Sequence, residues 1–324
     1  MQTAASLVIE ELMDGRLQVF AGNSNLALAR EITAHLHLNL GRALVGQFKN
    51  GETRIKIEEN VRGSDVFVIQ SLSAPVDHHL MELLIMVDAL RRSSAKRITA
   101  VVPYYGYAKQ EKKTTGREPI TAKLIANLIA TAGAHRLLTM DLHAPAIEGF
   151  FDIPVDHLQA GPLLVDYFRQ KDMRNLVAVS PDAGGVGRAN KFRERIGASL
   201  AIIAKQRPEP DVSEVIEMVG DVDGKTAIIV DDMISTGGTL VEAAKALHER
   251  GATRIFACAT HGIFAGAAFD QMADSHLEEI IVTNTIVLPN EASAARIKTI
   301  SVAALFAEAI MRIHKDLSLS TLFM

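Results

Sequence analysis

One cysteine and no tryptophan occur among the 324 residues. Cys258 alone excludes intrachain disulfides and thiolate zinc clusters. Its setting in the apolar run Arg254-Ile-Phe-Ala-Cys-Ala259 predicts a buried, inert thiol. Basic charge is not in excess: 34 Lys and Arg stand against 38 Asp and Glu, a formal net charge of −4. That balance excludes the broad basic footprint of a protein that grips duplex nucleic acid. No stretch of about 18 apolar residues occurs, so no membrane-spanning helix is expected. The first fourteen residues hold Glu10, Glu11 and Asp14 and no Lys or Arg, against the pattern of a signal or transit peptide. These absences predict a soluble cytoplasmic protein whose partners include neither nucleic acid nor membrane.

Apolar residues are abundant, 48% of the chain, enough for ordinary globular cores. The length suits two domains of about 100–200 residues each. Short apolar runs read as buried strands at Leu17–Ala21, Val66–Ile69, Ile98–Val102, Leu137–Met140, Val177–Val179, Ala227–Val230, Ile255–Ala259 and Ile280–Val282. Helical spacing recurs between them, at Leu26–Leu36, Leu80–Leu90, Thr121–Ala132 and Leu240–Arg250. Continuous apolar strands alternating with helices imply parallel sheets covered on both faces. Ile55 and Ile57 alternate with Lys56 and Glu58, the mark of a half-exposed strand.

Residues 89–100 align with residues 246–257 at an offset of 157, with six of twelve positions identical. Each segment reads as a helix end, a turn and a strand start. The offset is close to half the chain, so the match predicts two similar α/β domains that meet near residues 155–165.

The strongest chemical signal is Ile228-Ile-Val-Asp-Asp-Met-Ile-Ser-Thr-Gly-Gly-Thr-Leu240. A buried strand ends in two carboxylates, Asp231 and Asp232. Ser235, Thr236, Gly237, Gly238 and Thr239 then open a helix. Glycines let backbone N–H groups approach an anion, the helix start adds a partial positive charge, and hydroxyls add donors. That is a cradle for phosphate. The carboxylates would repel phosphate; they suit ribose hydroxyls or a Mg²⁺ reached through water. A sugar phosphate satisfies both halves.

This segment resembles the 5-phosphoribosyl diphosphate loop of the phosphoribosyltransferase fold, and the chain from about Leu17 to Phe323 resembles the ribose-phosphate pyrophosphokinase family. Blocks that carry the resemblance include Phe48-Lys-Asn-Gly-Glu52, Pro103-Tyr-Tyr-Gly-Tyr-Ala-Lys-Gln-Glu-Lys-Lys113, Met140-Asp-Leu-His143, Ser180-Pro-Asp-Ala-Gly-Gly185, Lys205-Gln-Arg207 and Thr260-His-Gly-Ile-Phe264. The resemblance implies two phosphoribosyltransferase-type domains, each a mostly parallel sheet flanked by helices. An N-terminal extension would cover 1–16. An ATP-binding domain would cover 17–159, and a domain for ribose 5-phosphate would cover 160–324, with the last helix packing back on the first domain. It implies diphosphoryl transfer from ATP to ribose 5-phosphate with Mg²⁺, and a cytoplasmic homo-oligomer, a hexamer built from dimers.

By the same resemblance, Lys205 and Arg207 are the catalytic cations. Phe48, Asn50, Gly51, Glu52, Lys109, Gln110 and His143 would bind ATP. Arg207, Asp231, Asp232 and Ser235 through Thr239 would bind ribose 5-phosphate, and His143 and Asp182 would be the metal-linked residues. The residues by themselves leave other readings. Composition alone would put Phe48 in a core. A lone His after a strand suits a structural bond or a phosphate as well as a metal. Two prolines, Pro208 and Pro210, give the stretch after Ala204 the look of an exposed loop. Lys109 replaces the family's Arg and keeps the charge without the planar fork. Ser235 replaces an acidic residue common in the family, which makes this loop closer to archaeal-type members.

Overall fold

The computed structural model describes residues 16–171, 173–206, 215–289 and 296–322. The chain divides into two compact units. Of the described residues, the first holds those from Arg16 to Gln159 together with 285–287 and 301–322; the second holds those between Ala160 and Asn284 and between Leu288 and Ile300. Residues 301–322 cluster with the first unit.

In the first unit, strands β1 (Leu17–Ala21), β4 (Asp65–Ile69), β5 (Arg97–Val102), β6 (Arg136–Met140) and β7 (Val155–Leu158) form one parallel sheet in that order. All five residues of β4 are buried, as a strand covered on both faces requires. Between β1 and β4 the chain forms an antiparallel hairpin, β2 (Ala43–Gln47) with β3 (Thr53–Ile57), which is a sheet of its own. In β3, Thr53, Ile55 and Ile57 are half-buried while Arg54 and Lys56 are exposed, the alternation read from the sequence. The helices are α1 (Leu26–His35), α2 (Val76–Arg92) and α3 (Thr121–Ala132). Asn25 caps α1 by accepting from Leu28 N at 3.1 Å.

In the second unit, β8 (Leu176–Ser180), β9 (Ser199–Gln206), β10 (Val215–Val219), β11 (Thr226–Ile234), β12 (Arg254–Gly262), β13 (Glu279–Thr283) and β14 (Ile297–Ile300) form one sheet. Its order is β10-β9-β8-β11-β12-β13-β14, and β10 is the antiparallel member. Helices α4 (Gly161–Arg169) and α5 (Val186–Ile196) pack on one face, and α6 (Gly238–Glu249) and α7 (Ala268–Ala273) on the other. The period of two along β11 sorts the side chains: Ile228 and Val230 join Phe168 and Phe192, while Ala227 and Ile229 join Leu240 and Leu247. Cys258 is fully enclosed on the α4–α5 side, and burial pushes its thiol well above the usual range.

The two units share the order of their elements, a strand, an antiparallel pair and four more strands: β1-β4-β5-β6-β7 corresponds to β8-β11-β12-β13-β14, while the antiparallel pair is a sheet of its own in the first unit and extends the sheet beyond β8 in the second. The repeat at offset 157 is accurate to the residue. α2 ends at Arg92 and β5 begins at Arg97, while α6 ends at Glu249 and β12 begins at Arg254. Helix α8 (Ala303–His314) completes the first unit. It packs on α1, and His314 and Arg97 both bind the buried Asp65, at 2.9 and 2.6 Å. No helix among the described residues is long and apolar enough to cross a membrane.

Candidate active site

In the second unit the carboxyl ends of parallel strands gather the polar side chains, as open α/β sheets do. β11 delivers Asp231 and Asp232. Asp232 is buried, while the Asp231 side chain keeps about a quarter of its surface in solvent, 28%. Arg188, in the first turn of α5, reaches both: Nη1 lies 2.9 Å from Asp231 Oδ1 and Nη2 lies 3.2 Å from Asp232 Oδ1. Asp231 Oδ1 also accepts from Asp232 N at 2.8 Å. Burial, then the neighbouring Asp232, pushes the Asp231 carboxyl up from 3.8 to about 7, with Arg188 acting in the opposite sense. Arg188 was not singled out from the sequence. No local motif marks it, because its partners lie 43 and 44 positions away.

The turn after β11 places Ser235, Thr236, Gly237, Gly238 and Thr239 at the start of α6. Gly237 has φ +84° and caps that helix with its backbone. A Cβ there would lie 2.5 Å from Met272 Cε, the movable end of a flexible side chain, so it is the backbone conformation that calls for glycine. No side chain caps α6, and the first N–H groups of a helix have no partner within it. Asp182 is exposed at the equivalent turn after β8. Its Oδ1 accepts from Gly185 N at 2.8 Å, and Ser180 Oγ donates to Asp182 O at 2.7 Å, so the residue also shapes the start of α5.

Lys205 does not lie in a loop. Strand β9 runs on through Gln206, and Lys205 pairs with Ile216 of β10. The antiparallel ladder continues past the point where the sequence suggested that it stops. Arg207 lies outside the described residues.

In the first unit, Phe48-Lys-Asn-Gly-Glu52 forms the turn of the β2–β3 hairpin. Phe48 N donates to Glu52 O at 2.8 Å, Gly51 N to Phe48 O at 2.9 Å and Glu52 N to Asn50 Oδ1 at 3.2 Å. Phe48 is 49% exposed, contrary to a core reading, and the Arg54 guanidinium lies 5.3 Å from its ring centroid. A hairpin tip has no core to bury it in. The ring is held out by a turn that satisfies its own backbone. Lys109 and Gln110 are exposed on the loop after β5; Thr121 Oγ1 donates to Gln110 Oε1 at 2.6 Å and Gln110 N to Tyr107 O at 2.9 Å. His143 is half-buried in the turn after β6. That turn is held by His157, whose Nε2 accepts from Leu142 N at 2.8 Å and whose Nδ1 lies 2.5 Å from Glu148 Oε1.

Thus the structure brings Asp231, Asp232, Asp182 and the 235–239 turn to one end of the second unit's sheet, and adds Arg188. The first unit carries Phe48–Glu52, Lys109, Gln110 and His143 on three turns. Among the described residues no three His, Cys, Asp or Glu side chains cluster as a metal cage. The carboxylates present suit a Mg²⁺ that takes much of its oxygen shell from phosphates and water.

Comparison with known proteins gives the family. Residues 17–133 match the family model for the N-terminal domain of ribose phosphate pyrophosphokinase, and residues 207–324 match that for the phosphoribosyl synthetase-associated domain. A ribose-phosphate pyrophosphokinase from Caldanaerobacter subterraneus is 56% identical over 308 residues, covering 95% of this chain and 98% of the relative. One from Bacillus cereus is 52% identical over 313 residues, covering 97% and 99%. The crystal structure of phosphoribosylpyrophosphate synthetase from Mycobacterium smegmatis superposes with a TM-score of 0.88 at 43% identity, covering 93% of this chain and 99% of that one.

Proposed function

The chain belongs to the ribose-phosphate pyrophosphokinase family, and from that membership we propose how its residues divide the family's reaction. The enzyme transfers the diphosphoryl group of ATP to ribose 5-phosphate, giving AMP and 5-phosphoribosyl 1-diphosphate. The C1 hydroxyl oxygen bonds to the β-phosphorus. The bond from that phosphorus to the oxygen bridging the α-phosphate breaks, AMP leaves with that oxygen, and the hydroxyl proton passes to solvent. Little covalent work falls to the protein, which has to position the reactants and balance charge.

The second unit holds ribose 5-phosphate. The N–H groups and hydroxyls of Ser235–Thr239 take the 5-phosphate, and Asp231 accepts from the ribose hydroxyls, with Asp232 and Arg188 fixing its orientation. The first unit holds ATP. Phe48 offers a flat apolar face to the adenine, Asn50 and Glu52 offer polar atoms to its edge, and Lys109, Gln110 and His143 address the phosphates. Lys205 and Arg207 stabilise the charge that develops as the diphosphate moves. His143, in the first unit, and Asp182, in the second, are each read as metal-linked residues; a divalent cation, Mg²⁺, would take the rest of its ligands from substrate oxygens and water and would neutralise phosphate charge. As in the family, the enzyme works as a homo-oligomer, a hexamer, in the cytoplasm.

The observation that carries this division is the pairing of a carboxylate strand end with an uncapped, glycine-opened helix start on β11 and α6, which suits a sugar phosphate in both its parts. The test is product formation. Purified protein should release AMP from ATP only when ribose 5-phosphate and a divalent cation are both present. AMP released without the sugar, or no AMP in the complete mixture, would refute the reading.

A further inference from the structure

Strand β1 is an edge of the first unit's sheet, paired along its length only with β4. The chain leaving α1 returns beside its other edge. His37, with φ +56°, turns that chain, and Gly41 N donates to Val19 O at 2.7 Å. The approach is close: a Cβ on Gly41 would lie 2.5 Å from the fully buried Phe20 ring. These two segments and Glu59 wall a cavity of about 290 Å³, with Arg16, Gln18, Leu38 and Asn39 among its lining residues. None of the candidate active-site residues lines it. A water needs about 15 Å³ of such space, and ligand pockets begin at about 300 Å³. The size therefore suits a molecule of a single ring.

Gln18 is the unusual member of this lining. It shares a face of β1 with Phe20, which belongs to the apolar core, and it is only 5% exposed. Its Nε2 donates to Glu59 Oε2 at 3.3 Å. That bond fixes the amide, because the reverse orientation would set a carbonyl oxygen against a carboxylate. Oε1 is then left with no hydrogen-bond partner. Among the described residues one other buried side-chain atom, Thr99 Oγ1 in β5, shares that condition. An unmet buried acceptor costs about 1–3 kcal/mol, which an N–H donor from outside the chain would recover. Glu59 is already answered: its Oε1 accepts from Arg42 N at 2.9 Å and lies 3.4 Å from Arg42 Nε. Arg16, exposed among the lining residues, adds positive charge, which disfavours a cationic donor. Asn39, also exposed, offers an amide N–H for a ligand carbonyl.

We propose that this cavity is a second small-molecule site, separate from the active site, and that it takes a neutral cyclic amide, the chemistry of a pyrimidine base. Gln18 Oε1 accepts from the ring N–H, Asn39 donates to a ring carbonyl, and Leu38 gives the ring an apolar contact. The site is independent of how the active-site residues divide the two substrates.

The test is calorimetric titration of the full-length protein with uracil and with 1,3-dimethyluracil, which keeps the ring and carbonyls but has no N–H. Uracil should bind once per chain, and the dimethyl compound about tenfold more weakly or worse. Gln18→Lys still donates to Glu59 but leaves no acceptor. It should weaken uracil about tenfold or more, while KM for ATP and for ribose 5-phosphate stay within about twofold of the parent. Asn39→Ala, at an exposed position that the core does not need, should weaken uracil several-fold and serves if Gln18→Lys folds poorly. Crystals soaked in uracil should show the ring on Gln18 Oε1. Equal binding by the parent and both variants would place uracil elsewhere and overturn the proposal. So would no binding by the parent, or an ordered water on Oε1 that uracil does not displace.

Discussion

Arg188 and Asp231 are 43 positions apart in sequence, yet their side chains meet at 2.9 Å, and the second nitrogen of the same guanidinium lies 3.2 Å from Asp232. One cation therefore holds two adjacent carboxylates at the end of β11. Without it, they would repel each other and any incoming phosphate. Arg188→Met should lower stability by about 1–3 kcal/mol, because Asp232 would keep a buried charge with its cation removed. It should also raise KM for ribose 5-phosphate. Denaturant unfolding and sugar titrations check both effects.

Gly237 is the conformational key of the turn proposed to take the 5-phosphate. Gly237→Ala forces a side chain into φ +84° against Met272. The backbone term alone is about 1–2 kcal/mol. The turn should shift outward, and kcat/KM for ribose 5-phosphate should fall about tenfold or more. Shortening the neighbour as well, in Gly237→Ala/Met272→Ala, should recover little, since the backbone strain remains.

Phe48 stands in solvent with Arg54 over its ring. Phe48→Ala removes a stacking face worth about 1–3 kcal/mol per base. KM for ATP should rise while the melting temperature barely moves, because an exposed hairpin tip contributes little to the core. Phe48→Tyr, which keeps the face, should behave as the parent.

Asp231 gives the stability curve a sign. Its carboxyl is raised from 3.8 to about 7, so between those values the folded protein binds more protons there than the unfolded chain. Stability from this group is full below the lower value and is lost as pH rises toward the upper one. Asp231→Asn removes that slope. The difference in melting temperature between variant and parent should therefore grow in the variant's favour from about pH 4 to about pH 7. A constant difference across that range would contradict the raised carboxyl.

The local patterns proved easiest to read in the sequence. Thr121–Ala132 is a helix between those same residues, because an apolar stripe ends at Gly133. β11 and β12 were seen as apolar cores but run further, to Ile234 and Gly262, because the ladder continues after the apolar residues end. Phe48 misleads a composition rule, since its exposure follows from sitting at a hairpin tip. Arg188 could not be seen at all. It depends on Asp231, a partner 43 residues away that the sheet brings to it.

The central claim is that the acidic end of β11 and the turn after it hold the sugar phosphate, while the nucleotide is held elsewhere. Initial rates for Asp231→Asn, with each substrate varied at saturating levels of the other, test it most directly. KM for ribose 5-phosphate should rise about tenfold and KM for ATP should stay put. An unchanged KM for the sugar, or a rise confined to ATP, would contradict it.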